Sequence, residues 1–411
     1  MKSVYWIKEI LRLHSMNELD PKTFAERQVE EIRRIIGNER AVIAVSGGVD
    51  STTCAVLTHM AIGENLICIT IDDGFRREGE PERVADALSS PPLNLPVKIM
   101  KAEERFLDAL KGLRDAEEKR KVFRENFYRT LSEAAREEGS RFLVQGTILA
   151  DIVETKGGIK TQHNVLEQIG INTTERYGFK VVEPLVSLYK DDVRKVARYL
   201  KIPAEISERQ PFPGPGLLVR VVGEVKAEKL KTLKKATEIA EEELAKHRPD
   251  QYFAAIIDNR EQAQPRILDS IKSIVSKFLK LSREDVSARI LEDKATGVKG
   301  NARQYGEILA LECRSSTGKF YQPPIKELIA LQNAVISESP SITRVLYRVS
   351  SIEERKPYLI TLRAVKTKNF ITAEVADVPW STLDEIALRI LEDCSDVSSV
   401  YYDVTPKPPA T

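Results

Sequence analysis

The chain has 411 residues, 42% hydrophobic and 30% charged, which suits a globular protein too long for one ordinary core, so two or three domains are predicted. Because 63 lysines and arginines nearly balance 62 acidic residues, the net charge is +1; general nucleic-acid or membrane binding is not indicated, and any basic site must be local. No apolar run approaches about 18 residues and no signal-peptide core is visible, so we expect a cytoplasmic protein without a membrane span.

The first predicted element is a helix that begins after Asp20. Asp20 can cap its N-terminus, Pro21 fits its first turn, and Gly37 lies just past its end. Four apolar residues at helical spacing give this helix one face for a core. They are Phe24, Val29, Ile32 and Ile36. Residues 1–36 are therefore assigned to an N-terminal helical segment.

From Ala41 onward, short runs of Val, Ile and Leu alternate with helical patterns. This alternation predicts an α/β fold with a doubly wound parallel sheet, covered by helices on both faces. Strands are predicted over 41–45, 66–71, 97–100, 141–147 and 180–185, and helices over 50–61, 80–88, 102–138 and 189–200. Such sheets bind ligands beyond the carboxyl ends of their strands, so the loops after Val45, Ile71 and Thr147 should converge on a site.

Residues 37–222 are assigned to this first domain. Within it, residues 151–178 are rich in glycine and polar residues, which is typical of a mobile lid. The proline-rich stretch QPFPGPGLLVR (210–220) is predicted to be a hinge.

The composition from residue 223 to 411 changes to a mixture of helices and strands with an apparent internal repeat. ITRVLYRV (342–349) resembles VSSVYYDV (397–404), and EILALECRSSTGKF (307–320) resembles YLITLRAVKTKNF (358–370). These matches predict an α+β domain with two related halves, about 250–349 and 350–411. Chance similarity between amphipathic strands is the alternative.

The hexapeptide SGGVDS (46–51) follows the first predicted strand and opens the next helix. Gly47 and Gly48 let the backbone approach a ligand closely. The N–H groups of this turn and helix N-terminus form an anion cradle, to which Ser46 and Ser51 add hydroxyl donors. The charge of Asp50 conflicts with a bare phosphate site, and a bridging Mg²⁺ removes that conflict. No P-loop lysine is present, which disfavours γ-phosphate transfer. The simpler alternative is a Gly-Gly turn capped by Asp50 or Ser46.

SGGVDS is also the signature of the N-type ATP pyrophosphatases, which cleave ATP between its α- and β-phosphates. Several further stretches, in the same order along the chain, resemble the GMP synthases of that group, in particular the ATP-pyrophosphatase subunit of archaeal-type split enzymes. They are ITIDDGFRR (69–77), EEKRKVF (117–123), VQGTILADIVET (144–155), TQHN (161–164), LYKDDVRK (188–195), RQPFPGPGLLVRV (209–221) and KPPAT (407–411).

This resemblance implies an adenine nucleotide α-hydrolase-like domain followed by a dimerisation domain. It also implies ATP-dependent amidation of xanthosine 5′-monophosphate (XMP) to GMP. In such enzymes the xanthine 2-oxygen attacks the α-phosphate of ATP, pyrophosphate leaves, and ammonia then displaces AMP. Electrostatic stabilisation of the leaving pyrophosphate is the main physical requirement.

For ATP, the resemblance implies that residues 46–51, Val49 among them, hold pyrophosphate together with Lys190. Asp50 would bind Mg²⁺, and Asp50, Ser51 and Lys190 would act in catalysis. Lys190 taken alone is only an exposed lysine at a helix start.

Three more positions concern the rest of the ATP molecule. Ile71 matches the residue that holds adenine through its backbone, and Gly146 is assigned to the ATP site. Asp72 either reaches the ribose or caps a turn. Asp151 and Glu154 are an i,i+3 carboxylate pair that is either solvated or near the metal.

For XMP, the resemblance implies five binding residues. Arg120 in EEKRK matches a substrate-contacting arginine, although in isolation it belongs to a charged, solvated helix. Asn301 and Arg303 lie in GVKGNARQY (297–305), which resembles a substrate-phosphate loop. Gln251 is a looser match, and Lys407 in KPPAT matches the C-terminal lysine that binds the substrate phosphate.

The chain departs from the family pattern at three places. The family's HHN and RHPFPGPG have glutamine here at Gln162 and Gln210, which keeps hydrogen bonding but loses proton transfer. An acidic residue usually follows KPPAT, whereas the sequence ends at Thr411, so a trimmed chain or weakened substrate affinity is expected.

No glutaminase signature G-x-C-x-G surrounds any of the four cysteines. Cys54 and Cys68 lie in apolar runs and are predicted to be buried, reduced thiols. We therefore expect a synthetase subunit that receives ammonia from a separate glutaminase subunit or from solution, and a homodimer formed through the C-terminal domain.

Two alternatives remain open at this point. One is another N-type enzyme: NAD synthetase, which lacks the FPGPG hinge and the KPPAT tail, or a tRNA thiolase, which needs a catalytic cysteine pair. A regulatory homologue that binds ATP without turnover is suggested by the two glutamines and the missing tail.

Overall fold

The structure is a computed structural model that describes residues 19–156, 172–208, 212–299, 302–367, 372–408 and 410. The chain divides into two compact units, one of residues 1–106 and 123–214 and one of residues 107–122 and 215–411. The sequence-based boundaries (1–36, 37–222 and 223–411) stay predictions. None of the helices in the described ranges has the length and apolar character that a membrane span requires.

The described strands of the first unit form a parallel sheet in the order β3-β2-β1-β4-β5. The order reverses between β1 and β4, so right-handed crossovers place helices on opposite faces of the sheet. The predicted doubly wound α/β fold is confirmed. The strands are β1 (Ala41–Ala44), β2 (Leu66–Asp72), β3 (Val97–Lys101), β4 (Phe142–Val144) and β5 (Lys180–Val182).

Apolar residues from several helices of the first unit form one core with residues of this sheet. The first helix has the predicted caps at both ends. Asp20 Oδ2 accepts from the Thr23 N–H at 3.1 Å, and the Gly37 N–H donates to Arg33 O at 2.9 Å. Its predicted core residues Phe24, Ile32 and Ile36 are buried. The helices up to residue 207, of which α4 and α5 each have residues in both units, are α1 (Pro21–Ile36), α2 (Val49–Ile62), α3 (Glu80–Ser89), α4 (Glu103–Leu110), α5 (Ala116–Glu137), α6 (Leu149–Lys156), α7 (Thr173–Tyr177), α8 (Lys190–Tyr199) and α9 (Ala204–Ser207).

The single helix predicted over 102–138 is wrong, because two helices, α4 and α5, occupy this stretch. A turn closes after α4, where the Leu113 N–H donates to Leu110 O at 3.1 Å. Asp115 then caps α5, since its Oδ1 accepts from the N–H groups of Glu117 and Glu118, both at 2.9 Å. The charged composition is the same in both helices and therefore hid the break.

The second unit contains a mixed sheet in the order β12-β11-β13-β10-β9-β8-β7, and β6 also pairs with β11. Its described strands are β6 (Gln251–Asp258), β7 (Glu261–Gln262), β8 (Val286–Lys299), β9 (Ala302–Cys313), β10 (Ile342–Ser351), β11 (Tyr358–Lys366), β12 (Glu374–Val375) and β13 (Val397–Asp403). Its helices beyond residue 215 are α10 (Ala227–Leu244), α11 (Pro265–Leu279), α12 (Ile325–Glu338) and α13 (Trp380–Asp393).

Two βαβ elements of the same kind lie side by side in this sheet. In each, a helix joins two parallel strands: β9–α12–β10 and β11–α13–β13. The two connecting helices have 14 residues each and follow Pro324 and Pro379 as N-caps. The inner strands β10 and β13 pair antiparallel. This arrangement supports the predicted internal repeat, which stays a prediction.

In each βαβ element an ion pair joins the two parallel strands, in the same register. Arg348 Nη1 on β10 lies 3.1 Å from Glu312 Oε2 on β9, and Arg363 Nη1 on β11 lies 2.6 Å from Asp403 Oδ2 on β13. In both elements the ion pair follows directly after a leucine that pairs with a tyrosine across the two parallel strands: Leu311 with Tyr347, and Leu362 with Tyr402. The polarity is reversed, because the acidic partner is on the first strand of one element and on the last strand of the other.

Candidate active site

The SGGVDS loop connects β1 to the start of α2, as predicted. Gly47 has φ +70°, a left-handed conformation that favours glycine. Ser51 ties the loop together, because its hydroxyl accepts from the Ser46 N–H at 3.3 Å and donates to Gly48 O at 3.2 Å. The loop therefore presents a helix N-terminus and two adjacent hydroxyls on one short turn, which is the arrangement that binds phosphate oxygens.

Lys190 and Asp50 meet across the carboxyl edge of the sheet. Lys190 is the first residue of α8, and its Nζ lies 2.5 Å from Asp50 Oδ2. The Lys190 side chain keeps 37% exposure and that of Asp50 27%, so this pair remains open to solvent and to a ligand. Lys190 is thus at the loop, which its position at a helix start did not by itself indicate.

The second carboxylate oxygen of Asp50 fits a metal ligand. Asp50 Oδ1 is buried and has no hydrogen-bond partner among the residues that the structure describes. An unpaired buried carboxylate oxygen is costly unless a cation or donor completes it. The described residues contain no cluster of three or more His, Cys, Asp or Glu side chains that could hold a metal ion.

Gly146 brings the exit of β4 directly against this loop. A β-carbon built at residue 146 would lie 3.0 Å from the carbonyl carbon of Asp50 and 3.0 Å from the nitrogen of Ser51. Both are backbone atoms, so only glycine fits without movement. The contact lies between β1 and β4, at the point where the strand order reverses and where ligands of such sheets bind.

Ile71 lies near the carboxyl end of β2. The Val45 N–H donates to Ile69 O at 2.9 Å, so the backbone groups of Ile69 face β1. Residues i and i+2 of a strand face the same side, and the N–H and C=O of Ile71 therefore point past the end of β1. The predicted contact of this backbone with adenine stays a prediction.

Asp72 makes contacts that correspond to the simpler of its two predicted roles. Its Oδ2 accepts from Lys101 Nζ at 2.9 Å, and its Oδ1 faces the Gly74 N–H at 3.4 Å. The contact with Gly74 lies within the turn after β2, and the contact with Lys101 joins Asp72 to the end of β3. A contact with the ribose stays a prediction. Asp151, at the start of α6, accepts from the Ile148 N–H at 3.1 Å.

Sequence reasoning missed how the loop after β2 is held. Asp73 is fully buried and accepts from Arg76 Nη2 at 2.6 Å, and Arg76 also donates to Gly214 O at 2.9 Å. The Arg77 guanidinium lies 4.1 Å from the ring centre of Phe212. DDGFRR and the FPG stretch are therefore bound to each other. The signal was present as two adjacent aspartates and two adjacent arginines.

All four cysteines are buried free thiols. Burial raises the pKa of Cys54 well above its ordinary value, with a smaller contribution from the Asp50 carboxylate. Burial also raises the pKa of Cys68 to about 12, and those of Cys313 and Cys394 to about 11. Thiols that stay protonated at neutral pH are poor nucleophiles, which argues against the thiolase alternative.

Three stretches predicted to bind substrate come together within the second unit. The Ala116 N–H, at the start of α5, donates to the Tyr305 hydroxyl on β9 at 2.6 Å. Tyr305 pairs with Thr296 on β8, and the next residue of β8, Gly297, forms a bridge with Ala410 of the C-terminal tail. The start of α5, the β8–β9 hairpin and the tail are therefore neighbours.

The structure describes some of the predicted XMP-binding residues and only part of others. Arg120 Nη1 lies 2.7 Å from Glu117 Oε1 on the same helix. Gln251 begins β6, where it pairs with Val365, and Lys407 pairs with Ala373. The backbone of Arg303 pairs with Val298. The remaining predictions concern features outside the described residues: the Arg303 and Glu154 side chains, Asn301, Gln162, Gln210, most of the lid, and residues 1–18.

Lys119, beside Arg120, fixes the segment 107–122 in the second unit. Its Nζ donates to Val221 O at 2.7 Å and to Gly223 O at 2.8 Å. Burial lowers the pKa of Lys119 to about 8, and the neighbouring Lys229 adds to this effect. Nothing in the sequence pattern distinguished this buried lysine from the other charges of EEKRK.

Known proteins are similar to this chain in both of its units. Residues 21–204 match the family described as the PP-loop domain, and residues 353–411 match the GMP synthase C terminal domain. The chain is 43% identical to one of the subunits of GMP synthase (glutamine-hydrolyzing) from Sulfurisphaera tokodaii, over 95% of this chain and 98% of that protein. It is 40% identical to the same GMP synthase component from Methanopyrus kandleri, with the same coverage. The NMN synthetase structure from Francisella tularensis (18% identity, TM-score 0.39, 48% of this chain and 78% of that chain) is too distant to add to the argument.

Proposed function

The chain belongs to the family of these glutamine-hydrolyzing GMP synthase components, and on that basis we propose that it converts XMP to GMP with ATP and ammonia. The xanthine 2-oxygen attacks the α-phosphorus of ATP, the bond to the β-phosphate oxygen breaks, and pyrophosphate leaves. Ammonia then attacks carbon 2 of the adenylated base, and AMP leaves with the former 2-oxygen. The ring nitrogen beside carbon 2 loses its proton when the 2-oxygen is adenylated, and ammonia loses one proton in the second step. Both protons go to solvent, which balances the reaction.

The observation that carries this proposal is the Asp50–Lys190 pair on the SGGVDS loop, at the reversal point of the parallel sheet. A lysine and a helix N-terminus stabilise negative charge, whereas an aspartate at the same place calls for a cation. An ATP site that releases pyrophosphate needs both kinds of group. A plain Gly-Gly turn needs neither.

We assign pyrophosphate binding to Ser46, Ser51, the N–H groups of residues 47–49 and Lys190. Asp50 Oδ1 is the oxygen that would hold Mg²⁺, and the bound ion would neutralise charge on the pyrophosphate. Lys190 leaves Asp50 when phosphate binds, because its ammonium then has a doubly charged partner within reach. Ile71 would hold adenine through its backbone, and Gly146 lets the end of β4 pack against the backbone of the loop.

On the substrate side, we assign the XMP phosphate to Lys407 and the β8–β9 hairpin that carries Asn301 and Arg303. The neighbouring positions of the hairpin, the tail and the start of α5 support this assignment. Arg120 and Gln251 are the further proposed contacts. Arg120 must exchange its Glu117 partner for the ligand, a small change for a partly exposed ion pair.

The relatives are named as one component of a GMP synthase with more than one kind of chain, which implies a separate partner, and we propose that this partner is a glutaminase that supplies ammonia. We further propose a homodimer formed through the second unit and a cytoplasmic location. Sedimentation of the chain alone and with its partner would measure both assemblies.

The test uses the full chain with ATP, Mg²⁺, ammonium and XMP, and measures AMP, pyrophosphate and GMP. We expect the three products in equal amounts, and loss of turnover in Asp50→Ala. Asp191→Ala is the matched control, because Asp191 lies next to Lys190 but its side chain is 89% exposed. Absence of XMP-dependent pyrophosphate release by the wild-type chain, or full activity of Asp50→Ala, would refute the proposal.

A further inference from the structure

The tail that carries Lys407 has a defined path after β13. The Lys407 N–H donates to Ala373 O at 2.8 Å, and the Ala373 N–H donates to Lys407 O at 3.0 Å. The Ala410 N–H donates back to Pro406 O at 3.0 Å. These backbone bonds fix the direction of the tail at its far end. They do not explain how the tail is aimed where it leaves the sheet.

Three buried polar residues lie where the tail leaves β13. Asp403, the last residue of β13, accepts from Arg363 Nη1 at 2.6 Å through Oδ2 and from the Thr405 N–H at 3.0 Å through Oδ1. Arg363 Nη1 also donates to Thr405 O at 2.9 Å. All three residues are buried, with exposures of 3%, 5% and 0%. Both backbone groups of Thr405 are thus held by the Asp403–Arg363 pair. Arg344 Nε on β10 lies 3.6 Å from Asp403 Oδ2.

The Thr405 side chain anchors the same turn to β10. Its Oγ1 accepts from the Val345 N–H at 2.8 Å, and the Val404 N–H donates to Val345 O at 3.1 Å. Thr405 is therefore bound through its N–H, its C=O and its hydroxyl. A residue held at three atoms has one backbone conformation, so the direction of the chain two residues later is set.

The corresponding ion pair of the other βαβ element, Glu312–Arg348, does not fix a turn at the end of its strand. Glu312 and Arg348 lie in the same register, but β10 continues to Ser351 and no threonine of the described residues closes on the pair. An ion pair at this position can therefore join two strands of the sheet without a threonine beside it. The Thr405 contacts are additional, and of the two elements they belong to the one whose chain continues into the lysine tail.

We propose that Asp403, Arg363 and Thr405 form a clasp that positions Lys407 for the phosphate of XMP. The clasp acts through the tail and does not touch the substrate. It lowers the entropy that the tail would otherwise lose on binding, a cost of about 1–2 kcal/mol for each residue that must be ordered. This inference rests on the proposed role of Lys407.

The test compares Asp403→Asn and Thr405→Val with Glu312→Gln as the matched control, in the full chain with ammonium as nitrogen donor. We expect both clasp variants to raise the KM for XMP about tenfold, the equivalent of one ordered residue, with kcat and the KM for ATP changed less than about twofold. Hydrogen exchange at the Lys407 and Ala410 amides should accelerate at least tenfold in both. Glu312→Gln should lower the melting temperature and leave the KM for XMP and these two amides unchanged.

Thr405→Val keeps the side-chain shape and decides the question if Asp403→Asn does not fold. An unchanged KM for XMP in Thr405→Val, or an equal rise in Glu312→Gln, overturns the clasp. A third variant, Lys407→Ala, distinguishes failure of the clasp from failure of the proposed role of Lys407. If Lys407→Ala raises the KM for XMP and the clasp variants do not, only the clasp is wrong. If Lys407→Ala leaves the KM unchanged, the proposed role of Lys407 fails and the clasp fails with it. Non-additivity of Thr405→Val with Lys407→Ala supports the proposal.

Discussion

Replacing Gly146 with alanine should distort the SGGVDS loop without removing any of its functional groups. The new methyl carbon would lie 3.0 Å from backbone atoms of Asp50 and Ser51, whereas carbon contacts are optimal at about 3.5–4.0 Å. The first turn of α2 must therefore move by about 0.5 Å. Because a misplacement of about 1 Å can cost about 10²-fold in rate, we expect kcat/KM for ATP to fall about tenfold. The strain should lower the free energy of unfolding by about 1–3 kcal/mol.

The assay is XMP-dependent pyrophosphate release at several ATP concentrations, together with urea unfolding. Gly139→Ala is the control, because Gly139 has φ +64° but a β-carbon there meets no atom of the described residues within 4 Å. It should lose about 1–2 kcal/mol of stability through backbone strain alone and keep its kinetics. Equal activity of Gly146→Ala and wild type would refute the argument that contact with β4 sets the geometry of the loop.

Two further predictions concern buried or paired lysines. Lys190→Met should lower kcat about 10²-fold, because it removes a cation from the leaving pyrophosphate, and kcat measured at saturating ATP checks this; a change only in the KM for XMP would contradict it. For Lys119, burial lowers the folded pKa to about 8, against about 10.4 when unfolded. Between these values the unfolded chain binds more protons, so Lys119 penalises folding below about pH 8 and less as pH rises. The free energy of unfolding of wild type minus that of Lys119→Met should therefore rise by up to about 3 kcal/mol between pH 7 and 10.5, measured by urea titration; a constant difference would contradict it.

The first sheet and its phosphate loop could be predicted from the sequence because their signals are local. The run AVIAV, the Gly-Gly pair and the following helix are contiguous, and β1 and α2 begin within one residue of prediction. The cap at Asp20 was equally local. The break between α4 and α5 was missed because a single capping aspartate, Asp115, lies within a long charged stretch whose composition does not change.

Long-range contacts could not be predicted from local patterns. Asp50 and Lys190 are 140 residues apart, and only a family resemblance placed them together. Asp403 and Arg363 lie in strands that read as ordinary alternating segments. A charged residue inside YLITLRAV or VSSVYYDV is a weak signal until the structure shows that the two side chains pair. Lys119 was hidden for the same reason, since its burial depends on carbonyl groups about a hundred residues away.

The reversed polarity of the two ion pairs bears on how the second sheet assembles. If β9 paired with β13 in the corresponding register, Glu312 would face Asp403. If β11 paired with β10, Arg363 would face Arg348. Like charges opposite each other destabilise a strand pair, and a buried charge without its partner costs about 3–5 kcal/mol. Two elements with nearly the same architecture could otherwise exchange strands during folding. The opposite order of charges disfavours these two exchanged pairings.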